Sequence, residues 1–171
     1  MSDSPDPVVD VDPRYGDPAE QGTSWVDGQA ALRDAELYWV TTVRPNGQPH
    51  VTPAVGVWVD GAVVFTTGEE EQKGRNLAAL NRCTVVTGNN TWNRGLDIVV
   101  EGRAVRVTDP VRLQRVVDEF ARKYHGDWVF EVEGDHLRQE DGGPLAFEVR
   151  PERAYGFAKG PFSHTRWRFA G

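Results

Sequence analysis

The residues best suited to chemistry fall in three short stretches. The first, Phe65 to Leu77, reads Phe-Thr-Thr-Gly-Glu-Glu-Glu-Gln-Lys-Gly-Arg-Asn-Leu. Thr66 and Thr67 end an apolar run, and a helical pattern over 69–80 follows. Hydroxyls and free amides at such a junction can hold an anion. Lys73 stands four residues before Leu77 and seven before Leu80, so it shares the face those leucines bury. A buried cation needs a counter-charge. A ligand phosphate would serve, held from the side, because Glu69, Glu70 and Glu71 in the first turn oppose an anion at the helix tip. A lysine snorkelling beside the stripe, or paired with a protein carboxylate, meets the same need. The second stretch is Pro49-His50-Val51-Thr52-Pro53. There His50 and Thr52 are expected to point away from the core, and Pro53 leaves a gap in the ladder. A planar ring could lie on such a strand; an ordinary edge strand also fits. The third is Ser163 to Phe169, where Arg166 and Arg168 alternate with Trp167 and Phe169. These side chains can stack on a ring and neutralise an anion, or plug a seam as a terminal strand.

The elements that must position these residues are mostly strands. Leu37–Val43 alternates, with Leu37, Trp39, Thr41 and Val43 on one face. In His50–Val59 the odd positions 51, 53, 55, 57 and 59 are apolar and predict a core-facing row. Arg44-Pro45-Asn46-Gly47 and Asp60-Gly61 read as turns, giving a three-stranded meander that ends at Ala62–Thr66. Arg82–Thr87 and Leu96–Val107 are further strands, and an apparent phase slip predicts a bulge at Glu101-Gly102. Asp109-Pro110 opens a helix whose buried stripe is Leu113, Val116, Val117, Phe120 and Tyr124. A shorter helix covers Asp27–Arg33. Residues 131–143 read as a loop, and 145–149 as a sixth strand. Consecutive strands without regular βαβ alternation predict a mainly β, antiparallel barrel flanked by two or three helices.

Composition narrows the function. The chain has 171 residues and a net charge of −7, with 26 acidic and 19 basic residues. An acidic surface disfavours nucleic acid and anionic membranes as partners. Residues 1–22 hold six of the acids and several prolines, which predicts a disordered acidic tail ahead of a domain over 23–171. One cysteine, Cys83, excludes an intrachain disulfide and a thiolate zinc cluster. The four histidines are scattered without metal-ligand spacing, so no metal site is expected. No nucleotide-binding glycine loop, Walker motif or hydrolase elbow occurs. The N-terminus has no signal-peptide pattern, and the expected location is cytoplasmic.

The three stretches, in this order, resemble the pyridoxamine 5′-phosphate oxidase-like split β-barrels that bind flavins or deazaflavins. Tyr38 to Pro53, Val64 to Gly68 and Lys73 to Leu77 carry the resemblance. Thr165-Arg166-Trp167-Arg168-Phe169 looks like the end of the actinobacterial branch that uses the deazaflavin coenzyme F420. The terminus expected of a true pyridoxamine phosphate oxidase is missing, so vitamin B6 oxidation is not expected. The resemblance implies a six-stranded Greek-key split barrel that forms a homodimer, with cofactors in grooves between the subunits. It implies that His50, Val51, Thr52 and Pro53 line the ring, and that Thr66, Thr67, Lys73, Arg75 and Asn76 bind the phosphate and ribityl chain. Arg166, Trp167 and Arg168 would close over the site. The implied activity is hydride transfer from F420 to a small-molecule acceptor, with His50 or Tyr38 as candidate proton donors. FMN is the alternative cofactor. A non-catalytic flavin- or haem-binding barrel is the remaining reading, with His125 as the haem candidate.

Overall fold

The long strand β7 (Gly95–Arg106) organises the molecule, a computed structural model that describes residues 6–17, 20–139 and 143–170. Before it come β1 (Val8–Gly16), α1 (Trp25–Asp34), β2 (Tyr38–Val43), β3 (Pro49–Ala54), β4 (Gly56–Val59), β5 (Ala62–Thr67), α2 (Gln72–Ala79) and β6 (Arg82–Thr87). After it come α3 (Pro110–Lys123), β8 (Glu131–Glu133), β9 (His136–Arg138), β10 (Leu145–Val149), β11 (Arg153–Lys159) and β12 (Ser163–Arg168). One side of β7 pairs with β6 over 98–103. The other side pairs with β11 up to Glu101 and with β10 from Ala104. One strand thus belongs to both halves of a split barrel. The sheet path is β1-β12-β11-β7-β10-β5-β4, with β6, β2 and β3 branching from β7. Every pairing is antiparallel. With 46% strand against 20% helix, the expected mainly β barrel with three flanking helices is the observed class. Among the described residues no helix is long and apolar enough to cross a membrane.

Two apolar layers hold it together. Inside the barrel, Tyr38, Val40, Phe65, Val85, Ile98, Val100, Val149 and Trp167 pack with Leu32 of α1. Outside, α3 lays Leu113, Val116, Val117 and Phe120 on Val57, Val64 and Ala146 of the sheet. Local chemistry sets the ends. Asp109 caps α3, its carboxylate accepting from the Arg112 amide at 2.7 Å, and Pro110 opens the first turn. Asp60 and Gly61 both take positive φ, 46° and 78°, the two-residue turn that suits a tight hairpin.

Several expectations are corrected. Residues 8–16 form β1, paired with β12 at Val8↔Arg168 through Val11↔Thr165, so this part of the tail is ordered; residues 1–5 and 18–19 of that tail lie outside the described residues. More strands form than the sequence suggested, because β8 and β9 lie in the supposed loop and the 50–59 run divides into β3 and β4. The inward faces of β2 and β3 are reversed. Tyr38, Val40 and Thr42 are buried, whereas Trp39 is 41% and Val51 54% exposed. His50, Thr52 and Ala54 turn inward. No bulge interrupts β7 at Glu101-Gly102: β6 stays in register across both, and Ile98, Val100, Gly102 and Ala104 keep one buried phase. Gly102 is needed for a different reason, since a Cβ there would meet the Arg150 carbonyl oxygen at 2.4 Å. The three glutamates precede α2, whose cap is Glu71.

The ordered β1 reverses what truncation should do. Deleting residues 1–22 removes the β1–β12 ladder and the Arg166–Asp10 ion pair. The melting temperature is expected to fall by roughly 5 °C, about 2 kcal/mol for a chain of this size. Calorimetry of the truncated protein checks this; an unchanged melting curve would show that β1 adds nothing to stability.

Candidate functional site

The β5–α2 junction folds around one carboxylate. Glu71 Oε1 accepts from the Gly68 amide at 2.7 Å, and Glu71 Oε2 pairs with the Lys73 ammonium. Thr67 lies beside the same carboxylate. Burial pushes the Glu71 carboxyl upward, but the bonds from Lys73 and the Gly68 amide outweigh it and hold the group below its ordinary range. Gly74 allows this closure, because a Cβ there would meet the Gly68 carbonyl oxygen at 2.4 Å. The Lys73 side chain is only 10% exposed, while that of Glu71 is 54% exposed. Of the two readings of Lys73, the protein carboxylate is its partner here. That partner sits at the surface and is free to exchange.

The first two stretches come together through β2. Thr42 stands opposite His50 in the β2–β3 ladder. Its hydroxyl accepts from Asn76 Nδ2 at 2.9 Å, which fastens α2 to the sheet. On β3, His50 Nδ1 and Thr52 Oγ1 are buried and make no hydrogen bond in the protein. Two orphaned polar atoms two residues apart on one strand face are costly unless something pairs with them.

The remaining expected residues divide. Thr66 is half-buried, Thr67 is buried, and Arg75 is exposed and paired with Glu70 at 2.9 Å. Val51 and Pro53 face solvent on the outer side of β3. Asn76 is fully buried and bonded to Thr42 and Gln72, so it is a brace and not a ligand contact. Trp167 is also fully buried, packed against Trp25 at 5.2 Å between ring centres, so it cannot close over a site. Tyr38 is fully buried, and its hydroxyl donates to the Leu32 carbonyl, which removes it as a proton donor. Arg166 and Arg168 are exposed, but they pair with Asp10, and four strands, β11, β7, β6 and β2, separate theirs from β3 in the sheet order. His125 is exposed beyond the end of α3. Among the described residues no group of three or more His, Cys, Asp or Glu side chains is placed to hold a metal.

Two charged residues escaped the sequence reading. Glu71 reads from the sequence as part of a helical turn, although its place two residues before Lys73 makes it a neighbour. Lys123, at the end of α3, reaches under the barrel. Its ammonium donates to the Gly56 carbonyl at 2.7 Å and the Tyr38 hydroxyl at 3.1 Å. Burial pulls its pKa from 10.5 to about 8, against the opposing pull of Glu119, Asp34 and Glu36. Between about pH 8 and about 10.4 the unfolded chain therefore binds more protons than the folded one, and stability rises with pH. Cys83, pushed up to about 12 by burial, acts in the opposite sense once free thiols ionise near about 8.5. Denaturant midpoints are expected to rise slightly between pH 8 and 9 in the wild type and to fall in Lys123→Met, where the Cys83 effect is left unopposed. Parallel pH profiles would contradict this account of Lys123.

Split barrels whose antiparallel sheets share one strand form a recognised class of cofactor-binding protein. The sequence matches the family Pyridoxamine 5′-phosphate oxidase over residues 28–158, and the chain belongs to that family. No curated protein matches it. Solved structures share the fold. A conserved hypothetical protein of Mycobacterium tuberculosis aligns with a TM-score of 0.67 at 19% identity, over 82% of this chain and 88% of that one. An F420 reductase aligns with a TM-score of 0.52 at 22% identity, over 72% and 91%. A heme binding protein from Mycobacterium smegmatis aligns with a TM-score of 0.62 at 15% identity, over 85% of this chain and 59% of that one.

Proposed function

We propose that the chain is an oxidoreductase that binds coenzyme F420 along β3, with the phosphate at Lys73, and reduces a small-molecule acceptor. The observation that carries this is the pair of orphaned buried atoms, His50 Nδ1 and Thr52 Oγ1, on the strand joined through Thr42 to the Lys73 helix. These residues fit such a group: a strand with free polar atoms for a ring, and a buried cation with an exchangeable anion for a phosphate. Family membership and the F420 reductase neighbour support the reading.

Bound there, a reduced deazaflavin supplies the hydride, and no protein nucleophile is required. Lys73 and the Gly68 amide, both now bonded to Glu71, would hold the phosphate. The inward face of β3, with His50 and Thr52, would hold the ring. His50, with its free ring nitrogen, is the protein group suited to hold a proton near the ring. FMN fits the same residues and is the alternative cofactor.

The outer face of β2 and β3, on the side away from His50 and Thr52, is also apolar. Leu37, Trp39 and Val51 are 38%, 41% and 54% exposed, and Trp39 lies across the ladder from Val86 and Pro53. A second copy of the chain would cover this face. Calorimetric titration with F420 and FMN side by side, with sedimentation at micromolar concentration, tests the reading. The expected result is a dimer that binds F420 more tightly than FMN. A monomer that binds neither overturns it.

A further inference from the structure

We propose that Glu71 biases the Lys73 cradle toward a singly charged phosphodiester and against a doubly charged phosphomonoester. This rests on the reading that Lys73 meets the cofactor phosphate. Lys73 brings one positive charge and Glu71 one negative, so the cradle is neutral before a ligand arrives. Arg75, the next cation along α2, is turned to Glu70. The Gly68 amide and the Lys73 ammonium, both now bonded to Glu71, are the donors a phosphate would use.

Any phosphate must therefore displace the Glu71 carboxylate. That cost is common to all phosphates. A second effect is not common. The displaced carboxylate stays tethered two residues from Lys73 and would repel a phosphate held there in proportion to the charge the ligand carries. At about 5 Å in water-like surroundings one such unit interaction is worth about a fourfold change in affinity. Coenzyme F420 holds its phosphorus as a diester with one negative charge. FMN holds it as a monoester with nearly two at neutral pH. Glu71 thus penalises FMN about fourfold more than it penalises F420.

The test compares ligands that share a ring. Affinities for FMN, for its phosphate monomethyl ester and for riboflavin are measured on the wild type, Glu71→Gln, Glu71→Asp and Lys73→Met, with F420 as a fourth ligand. Glu71→Gln is expected to tighten both phosphates and to shift the FMN-to-methyl-ester ratio toward FMN by roughly fourfold. Riboflavin binding should not change, and Glu71→Asp should keep the wild-type ratio. Should the glutamine variant not fold, Glu71→Ser removes the same charge and is expected to give the same shift. An unchanged ratio in a charge-removing variant, with Lys73→Met still weakening both phosphates, overturns the role of Glu71 and leaves the cradle standing. Phosphate affinities that ignore Lys73→Met overturn both.

Discussion

Replacing Lys73 with methionine is expected to weaken F420 and FMN binding by roughly ten- to a hundred-fold, with little change in melting temperature. A charge-assisted bond to phosphate contributes roughly 1.5–3 kcal/mol, which sets that range. The small effect on stability follows from the partner. Glu71 is half-exposed and returns to water when Lys73 is gone, so no carboxylate is left buried and unpaired. Methionine keeps the volume and removes a desolvated cation. Binding should also lose part of its salt dependence. Riboflavin, which has no phosphate, should bind the variant as it binds the wild type. Cofactor affinities that stay at the wild-type level while the melting temperature drops would make Lys73 a structural residue and move the phosphate elsewhere.

Trp167→Ala is expected to cost about 3–5 kcal/mol of stability and to lower the melting temperature by roughly 10 °C or more. The indole is fully buried in a slot cut for it. Gly156 and Gly28 form two walls: a Cβ at Gly156 would meet the indole at 2.4 Å, and one at Gly28 at 3.3 Å. Trp25 closes the third side, itself braced by Phe169 at 4.8 Å between ring centres. The Trp167 Nε1 also has no hydrogen-bond partner in the protein, so the contacts of the indole ring, not a polar bond, hold the residue in its slot. Trp167→Phe should cost less, because it retains much of that volume. Binding of F420, measured well below the transition, should be unchanged in both variants. A variant that melts normally yet loses the cofactor would return Trp167 to the site.

Trp167 also marks where sequence reasoning stops. Its type and its arginine neighbours suit an anionic ring, and nothing local reveals that two glycines, one of them more than a hundred residues away, leave a hole for it. The Asp109 cap and the Asp60-Gly61 turn were legible because their chemistry is complete within a few residues. The faces of β2 and β3 were not. Both faces of β2 carry apolar side chains, Tyr38 and Val40 on one and Trp39 and Val43 on the other, so alternation cannot choose between them. On β3 the polar His50 and Thr52 turn in and Val51 turns out, the inverse of the rule for a monomer's strand. The resemblance singled out the Lys73 helix, and the burial of Lys73 was legible because its place on the face that holds Leu77 is a local property. It could not tell that Asn76, three residues on, spends its amide on Thr42. β1 escaped notice because main-chain pairing to β12 holds it while its side chains stay largely exposed, and its short Val9-Asp10-Val11-Asp12 alternation is a weak signal of a strand.

The edge position of β3 has a dynamic consequence. β7 lies between neighbours on both sides, whereas β3 is bonded to β2 alone. Amide exchange from β7 should require global unfolding, while β3 should exchange through small local openings of far lower free energy. The strand with the orphaned polar atoms is therefore among the least protected in the sheet. A molecule seated on it would slow exchange there first and most, and would report its binding as a protection pattern centred on one hairpin.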